Sequence, residues 1–258
     1  MPPGAAKLLK RFALLVSALL GAAAAAAAAA GEVSVAVAAN FAAPMQKIGA
    51  AFKQDTGHRA ALVVGSTGKF YAQIKNGAPF QVLLAADAAT PARLVQEGLG
   101  VASSRSTYAS GRLALWSRDA TRVDAAGQVL RSADFARLAL ADPKLSPYGA
   151  AAQQVLQALA LAAPLAPTFV QGENIAQTHQ FVATGNAELG FVALSQVFFD
   201  GKITSGSAWV VPAHLHQPLR QDALLLNSGK NSAAGAALLA YLRSDKARAI
   251  MRAYGYDH

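Results

Sequence analysis

The sequence predicts an α/β protein of two lobes, each a mostly parallel sheet flanked by helices, with a ligand cleft between the lobes. Three observations carry this. Short valine- and leucine-rich runs alternate with segments whose apolar residues recur at helical spacing. The alternation occurs twice, over roughly 100 residues each time. Between the two series lies "YASGRLALWS" (108–117), a longer run that reads as one strand leaving the first unit.

The chain begins with a leader. Lys7, Lys10 and Arg11 precede "FALLVSALLG" and a run of alanines. A positive start, an apolar middle and a small-residue exit are the three parts of a secretory signal, assigned to residues 1–30 with cleavage near Ala30. An uncleaved anchor is the alternative, because Phe12 to Ala30 approaches the length of a membrane span. Alanine is weakly apolar and suits a peptidase, which favours cleavage.

In the first lobe, "VSVAVAA" (33–39) is a strand. Pro44, Met45, Ile48 and Phe52 then mark a helix with proline near its first turn. "AALVVG" (60–65) is a strand, Phe70 and Ile74 mark a helix, "FQVLLAA" (80–86) is a third strand, and Leu94 sits on a third helix. In the second lobe, "LALAD" (138–142) is a strand, followed by a helix over 149–160, a strand near 168–171 and a helix over 174–184. "LGFVAL" (189–194), "SAWVVP" (207–212) and "QDALLLN" (221–227) are further strands. "SAAGAALLAYL" and "KARAIMRAYG" close the chain as helices that return to the first lobe. The predicted division is residues 31–110 with 218–258 for lobe 1, and 111–217 for lobe 2. Gly and Pro fall at the junctions, where turns need them.

Composition narrows the function. The 258 residues are 53% hydrophobic and 14% charged, with a net charge of +9. Without the leader's three cations, 20 basic residues face 14 acidic ones, a net +6. No tight basic cluster lies beyond residue 11, and no aromatic–basic alternation suggests nucleic acid. There is no cysteine, so disulfides, thiol catalysis and a lipid-modified cysteine anchor are excluded. An exported, unanchored protein fits a Gram-negative periplasm.

The stretch "VVGSTGKFYAQI" (63–74) invites three readings. A nucleotide phosphate loop fails on spacing: Val63 occupies the first glycine position and Phe70 the position of the magnesium-holding hydroxyl. Ser66-x-x-Lys69 matches the start of a serine acyl-transfer site, but neither an S-D-N nor a K-T-G tripeptide occurs in the chain. The third reading is geometric. Ser66 and Thr67 fall where a strand ends and a helix begins, and first-turn N–H groups lack internal partners and carry partial positive charge. Hydroxyls there either only cap the helix or also donate to an anion.

Three more junctions share this character. Asn40 follows the first strand; Ser146, Pro147, Tyr148 and Gly149 open one later helix; Glu173, Asn174 and Ile175 open another. In parallel sheets these junctions share the carboxyl edge, where ligands bind. Two from each lobe can meet across the cleft. Convergent N–H, amide and hydroxyl donors suit a small oxyanion, and no arginine stands at any junction. Lys69 and Lys144 are near, with stems long enough to reach solvent. Asp87 either lines the cleft or braces it. His214 and His216 could form a metal pair but lack a third ligand; His179 reads as an ordinary helical histidine. No carboxylate pair stands out for acid–base work.

Several stretches, in order, resemble the periplasmic molybdate-binding proteins of ABC importers: "AVAANFAAPMQKIGAAFKQDTGH", "GSTGKFYAQIKNGAPF", "LALADPKLSPYGAAAQQVL", "GENIAQTHQFVATGNAELGFVALSQ" and "RAYGY". The resemblance runs from about residue 33 to the end. It implies a two-lobed type II periplasmic binding fold that closes on molybdate or tungstate and delivers it to an inner-membrane permease. It implies a monomer, no cofactor, no protein-ligated metal cation and no catalysis. Matched by position, the oxyanion contacts are Asn40 and Ala39 from the first junction, Thr67 with Ser66 from the second, Tyr148 from the third, and the backbone N–H of Ile175 from the fourth. Some members carry a serine in place of Asn40 and a tyrosine in place of Ala193, and Tyr148 is expected to supply the missing phenol. A receptor for sulfate or phosphate, and a serine acyl-transfer enzyme using Ser66 and Lys69, are the competing readings.

Overall fold

The computed structural model describes residues 30–257. The leader assigned to residues 1–30 therefore lies outside the described residues, apart from its last position. Among the described residues no helix is long and apolar enough to cross a membrane.

Two five-stranded sheets organise the chain. The first contains β1 (Glu32–Ala38), β2 (Arg59–Gly65), β3 (Val82–Leu84), β4 (Ser106–Gly111) and β12 (Leu219–Leu225), in the order β2-β1-β3-β12-β4. The second contains β5 (Leu113–Ser117), β6 (Leu138–Ala141), β7 (Phe169–Gly172), β8 (Leu189–Ala193) and β11 (Ser207–Val210), in the order β11-β5-β8-β6-β7. The strands β9 (Phe198–Phe199) and β10 (Lys202–Ile203) form a separate hairpin. In the first sheet β1 runs parallel to β2 and β3, while β12 is antiparallel to β3 and β4. In the second, β6 is parallel to β7 and β8, while β5 is antiparallel to β8 and β11. Each sheet therefore has four strands running one way and one reversed, and the fold is the two-lobed α/β arrangement that the alternating pattern predicts.

The helices are α1 (Ala42–Thr56), α2 (Thr67–Lys75), α3 (Ala89–Gln96), α4 (Val129–Ser132), α5 (Pro147–Ala158), α6 (Ala162–Leu165), α7 (Ile175–Ala183), α8 (Ala233–Tyr241) and α9 (Asp245–Ala253). They cover both faces of each sheet, which explains why the strands read as continuous apolar runs. On β1, Val33, Val35 and Val37 join one core with α1, α8 and α9, whereas Ala36 joins another with Phe70 and Leu94. Phe41 is fully buried there, its ring 4.8 Å from that of Tyr108 and 5.4 Å from that of Tyr256. Burying a side chain of this size contributes about 1.5–3 kcal/mol. The closing helices pack on this first sheet through Leu238, Leu239, Ala247 and Met251.

One expectation is corrected. The run 108–117 is not one strand but two, β4 and β5, interrupted at Arg112 and assigned to different sheets. The chain crosses between the lobes here, and crosses back between β11 and β12.

Candidate functional site

The strand-to-helix junctions of both sheets meet in a small pocket. Its walls are Ala38, Ala39 and Asn40 after β1, Gly65, Ser66 and Thr67 after β2, and Ala86 after β3. From the second sheet come Ser146 and Pro147 at the start of α5, and Asn174 and Ile175 at the start of α7. The pocket comprises about 170 Å³ of atom-free space, part of it open to solvent. That suits one compact guest. None of these wall residues carries a charged side chain.

The hydroxyl of Ser66 is the most informative atom. Ser66 occupies the N-cap of α2, yet its side chain makes no capping bond. It is 3% exposed, and its Oγ has no hydrogen-bond partner. Such orphans are rare in folded proteins and call for an explanation, of which an absent ligand is one. Ser232 and Ser244 show the contrast: they cap α8 and α9 by accepting from the N–H groups of Gly235 and Ala247. Beside Ser66, Thr67 Oγ1 accepts from the Ala86 N–H at 3.0 Å. That bond ties α2 to the end of β3 and leaves the Thr67 hydroxyl proton available.

At the other helix starts the backbone supplies the donors. Asn174 Oδ1 accepts from the N–H groups of Ala176 and Gln177, both at 3.0 Å. The first-turn N–H of Ile175 is not among those it caps. Ser146 makes no side-chain cap for α5, and Pro147 at the first helical position has no N–H to give. The next donor on α5 is the N–H of Tyr148.

Two side chains stand differently from expectation. The phenol of Tyr148 does not supply a pocket wall. It lies beneath, accepting from Gln221 Nε2 at 3.2 Å. The amide of Asn40, although at the wall, is committed: Nδ2 donates to Gln221 Oε1 and to Tyr256 Oη, each at 2.9 Å. Around them Tyr108 Oη donates to Gln221 Oε1 at 2.9 Å, and Asn40 O accepts from Ser195 Oγ and Tyr256 Oη at 2.8 Å. Burial holds the Tyr108 and Tyr148 phenols well above their ordinary range and pushes Tyr256 up to about 12. All three remain neutral donors.

Gly111, at the end of β4, makes room for this cluster. A Cβ there would stand 2.0 Å from Tyr148 Oη and 2.5 Å from Gln221 Nε2. Gly111→Ala is expected to lower stability by about 1–3 kcal/mol through forced displacement of these groups, read by urea denaturation. An unchanged midpoint would show that the cluster yields.

The lobes touch directly at the mouth. The Gly68 N–H donates to Leu145 O at 2.9 Å. Lys69 Nζ lies 2.7 Å from Glu173 Oε1, with both side chains nearly half exposed. Lys69 is thus paired across the cleft, and Ser66 Oγ has no base bonded to it, so the two do not form an assembled nucleophile pair. An exposed ion pair contributes about 0.2–1 kcal/mol. Lys69→Met should weaken ligand binding no more than about fivefold, less at high salt, by titration calorimetry at two ionic strengths.

Asp87 both braces and lines. Its Oδ1 accepts from the Thr90 N–H at 2.7 Å and its Oδ2 from Thr90 Oγ1 at 3.1 Å, steadying α3. It also walls a wider cavity beside the pocket, together with Lys144, Gln154 and Gln217. Burial raises its pKa. Lys144 is exposed, as is His214. His179 stacks on Trp116 with ring centroids 4.9 Å apart. Among the described residues no cluster of three or more His, Cys, Asp or Glu could hold a metal ion.

Two lobes joined by crossing strands, closed over a compact neutral pocket of backbone and hydroxyl donors, define a solute-binding protein. The chain belongs to the family described as bacterial extracellular solute-binding protein, whose pattern matches residues 33–257. It is 56% identical over 225 residues to the molybdate-binding protein ModA of Azotobacter vinelandii, spanning 87% of this chain and 89% of the relative. It is 50% identical over 226 residues to the molybdate-binding protein ModA of Rhodobacter capsulatus, spanning 88% of each. The solved periplasmic molybdate-binding protein of Azotobacter vinelandii superposes with a TM-score of 0.85 at 37% identity, over 88% of this chain and 99% of that one.

Proposed function

We propose that this protein captures molybdate, and tungstate by the same geometry, in the periplasm and delivers it to an inner-membrane ABC permease. It acts by binding alone, as a monomer, without a cofactor. The observation that carries the reading is the orphaned Ser66 hydroxyl in an uncharged pocket bounded by both lobes. The names of the relatives at 50% and 56% identity support the choice of anion.

In this reading six residues hold the guest. Ser66 donates through its hydroxyl, Thr67 through its hydroxyl and first-turn N–H. Ala39 and Asn40 act through the backbone of the turn after β1, Tyr148 through its N–H rather than its phenol, and Ile175 through its N–H. Helix N-termini meet the charge, so no ion pair is needed. Ser66 and Thr67 belong to one lobe, Tyr148 and Ile175 to the other. A guest that touches both stabilises the closed form over the open one.

Backbone N–H groups that can only donate, joined by hydroxyls whose protons face the guest, favour a fully deprotonated dianion. The walls carry no titrating side chain and the phenols beneath stay neutral. Affinity is expected to be flat between about pH 6 and pH 9, and to fall only where the anion itself gains a proton. Calorimetry across that range checks it; a step near neutral pH would place an ionising group at the guest. The reading as a whole is tested by titrating molybdate, tungstate, sulfate and phosphate. Tight binding of the first two alone supports it; preference for sulfate or phosphate replaces the cargo, and acylation of Ser66 by a β-lactam replaces the class.

A further inference from the structure

Gln221 is a buried amide that the pocket does not use. It lies on β12, is 0% exposed, and walls no part of the pocket. A leucine or methionine would fill the same space without the desolvation of an amide. Its bonds are specific nonetheless. Oε1 accepts from Asn40 Nδ2 and Tyr108 Oη, both at 2.9 Å, and Nε2 donates to Tyr148 Oη at 3.2 Å. Asn40 stands in the first lobe, in the turn whose backbone walls the pocket. Tyr148 stands in the second lobe, on the first turn of α5.

We infer that Gln221 is a positioning residue that couples lobe closure to the shape of the anion pocket, by holding the Asn40 turn and the start of α5 in one geometry. This rests on the proposed oxyanion-binding function. Gln221 lies on a strand of the first sheet and Tyr148 on a helix of the second lobe, so rotation of one lobe against the other changes the distance between them. Closure completes the amide's bonding. The same amide fixes the Asn40 side chain, which leaves the turn's N–H groups facing the guest. A second link runs the same way: Ser195, just after β8 in the second lobe, donates to Asn40 O, and Tyr256 Oη bonds Asn40 at both its amide and its carbonyl. Asn40 is therefore gripped from both lobes, and Gln221 bonds both Asn40 and Tyr148.

The test is a pair of variants, Gln221→Met and Tyr148→Phe, with their double mutant, each compared with the unsubstituted protein. Dissociation of molybdate is followed by stopped-flow chase, and compaction on adding molybdate by small-angle X-ray scattering. Stability without anion is measured by urea denaturation. Each single variant should release molybdate about tenfold faster, with association little changed, and the double should be no faster than the faster single. Anion-free stability should fall only modestly for Gln221→Met, because Asn40 Nδ2 keeps Tyr256 Oη and Tyr108 Oη keeps the Ala85 carbonyl as acceptors. If unsubstituted protein binds molybdate and the variants release it at the same rate, the inference is overturned while the proposed function stands. The same holds if anion-free stability collapses with the release rate intact, which marks a merely structural amide. If Gln221→Met does not fold, Tyr148→Phe alone decides, since it removes a single oxygen from the cross-lobe bond. If the unsubstituted protein binds no oxyanion, both fall.

Discussion

Ser66→Ala is expected to weaken molybdate binding about 10- to 100-fold while leaving the anion-free protein as stable as before. Both effects come from one atom. In the closed arrangement the Ser66 hydroxyl is buried and has no protein partner. With the lobes open the same hydroxyl meets water, so in either form alanine removes no bond within the protein. The usual penalty for losing an N-cap serine does not apply, because the Ser66 side chain makes no cap bond. With the guest bound, the same hydroxyl donates to a charged oxygen, a bond of about 1.5–3 kcal/mol. Each 1.4 kcal/mol is about tenfold in affinity. Titration calorimetry and urea denaturation give the two halves. Ser244→Ala is the control, since that serine does cap its helix, and it should cost about 1 kcal/mol of stability with no effect on affinity. Parallel losses of stability and affinity in Ser66→Ala would mean that its hydroxyl is a structural group.

Much of this site was legible because local chemistry places it. The junction of an apolar strand with a helix puts Ser66 and Thr67 at an N-terminus whatever the rest of the chain does. What could not be read was the direction of side chains whose partners are distant. Asn40 looked like a donor to the guest, but its amide protons go to Gln221 and Tyr256, 181 and 216 residues away. Tyr148, at a helix start, reads as a phenol donor to the guest, yet its ring turns toward Gly111 and Gln221 because Gly111 leaves room there. Gln221 carries no local signature, and Ser195 and Tyr256 lie in stretches that mark the resemblance without showing what they bond. The split between β4 and β5 was hidden for a similar reason: its two sides are equally strand-like, and only the packing of two sheets makes Arg112 a crossing point. The four-residue helices α4 and α6 are too short to show a period.

Gly68→Val should abolish tight binding without harming the open protein. Gly68 is the second residue of α2, and its helical backbone needs no glycine for conformational reasons. Space is the reason. A Cβ there would stand 3.0 Å from Leu145 Cα and 3.1 Å from Leu145 O, across the cleft in the other lobe. Those neighbours are backbone, so they cannot swing aside as a flexible side chain would. Alanine asks the facing turn to yield by a few tenths of an ångström, and valine adds two methyl groups to the same collision. The Gly68 N–H bond to Leu145 O at 2.9 Å would then be lost with the close approach. Affinity is expected to fall at least about 100-fold for valine and about tenfold for alanine, in that order of side-chain volume. Small-angle scattering of Gly68→Val should show the open dimensions even at saturating molybdate. The open form gains helix propensity from either change, so anion-free stability should hold or rise slightly. The ordering separates a steric stop from a general disturbance of α2, which would lower stability in both variants and track propensity rather than size. Compaction of the valine variant on adding molybdate would show instead that residues 143–146 move aside, and that closure does not depend on this contact.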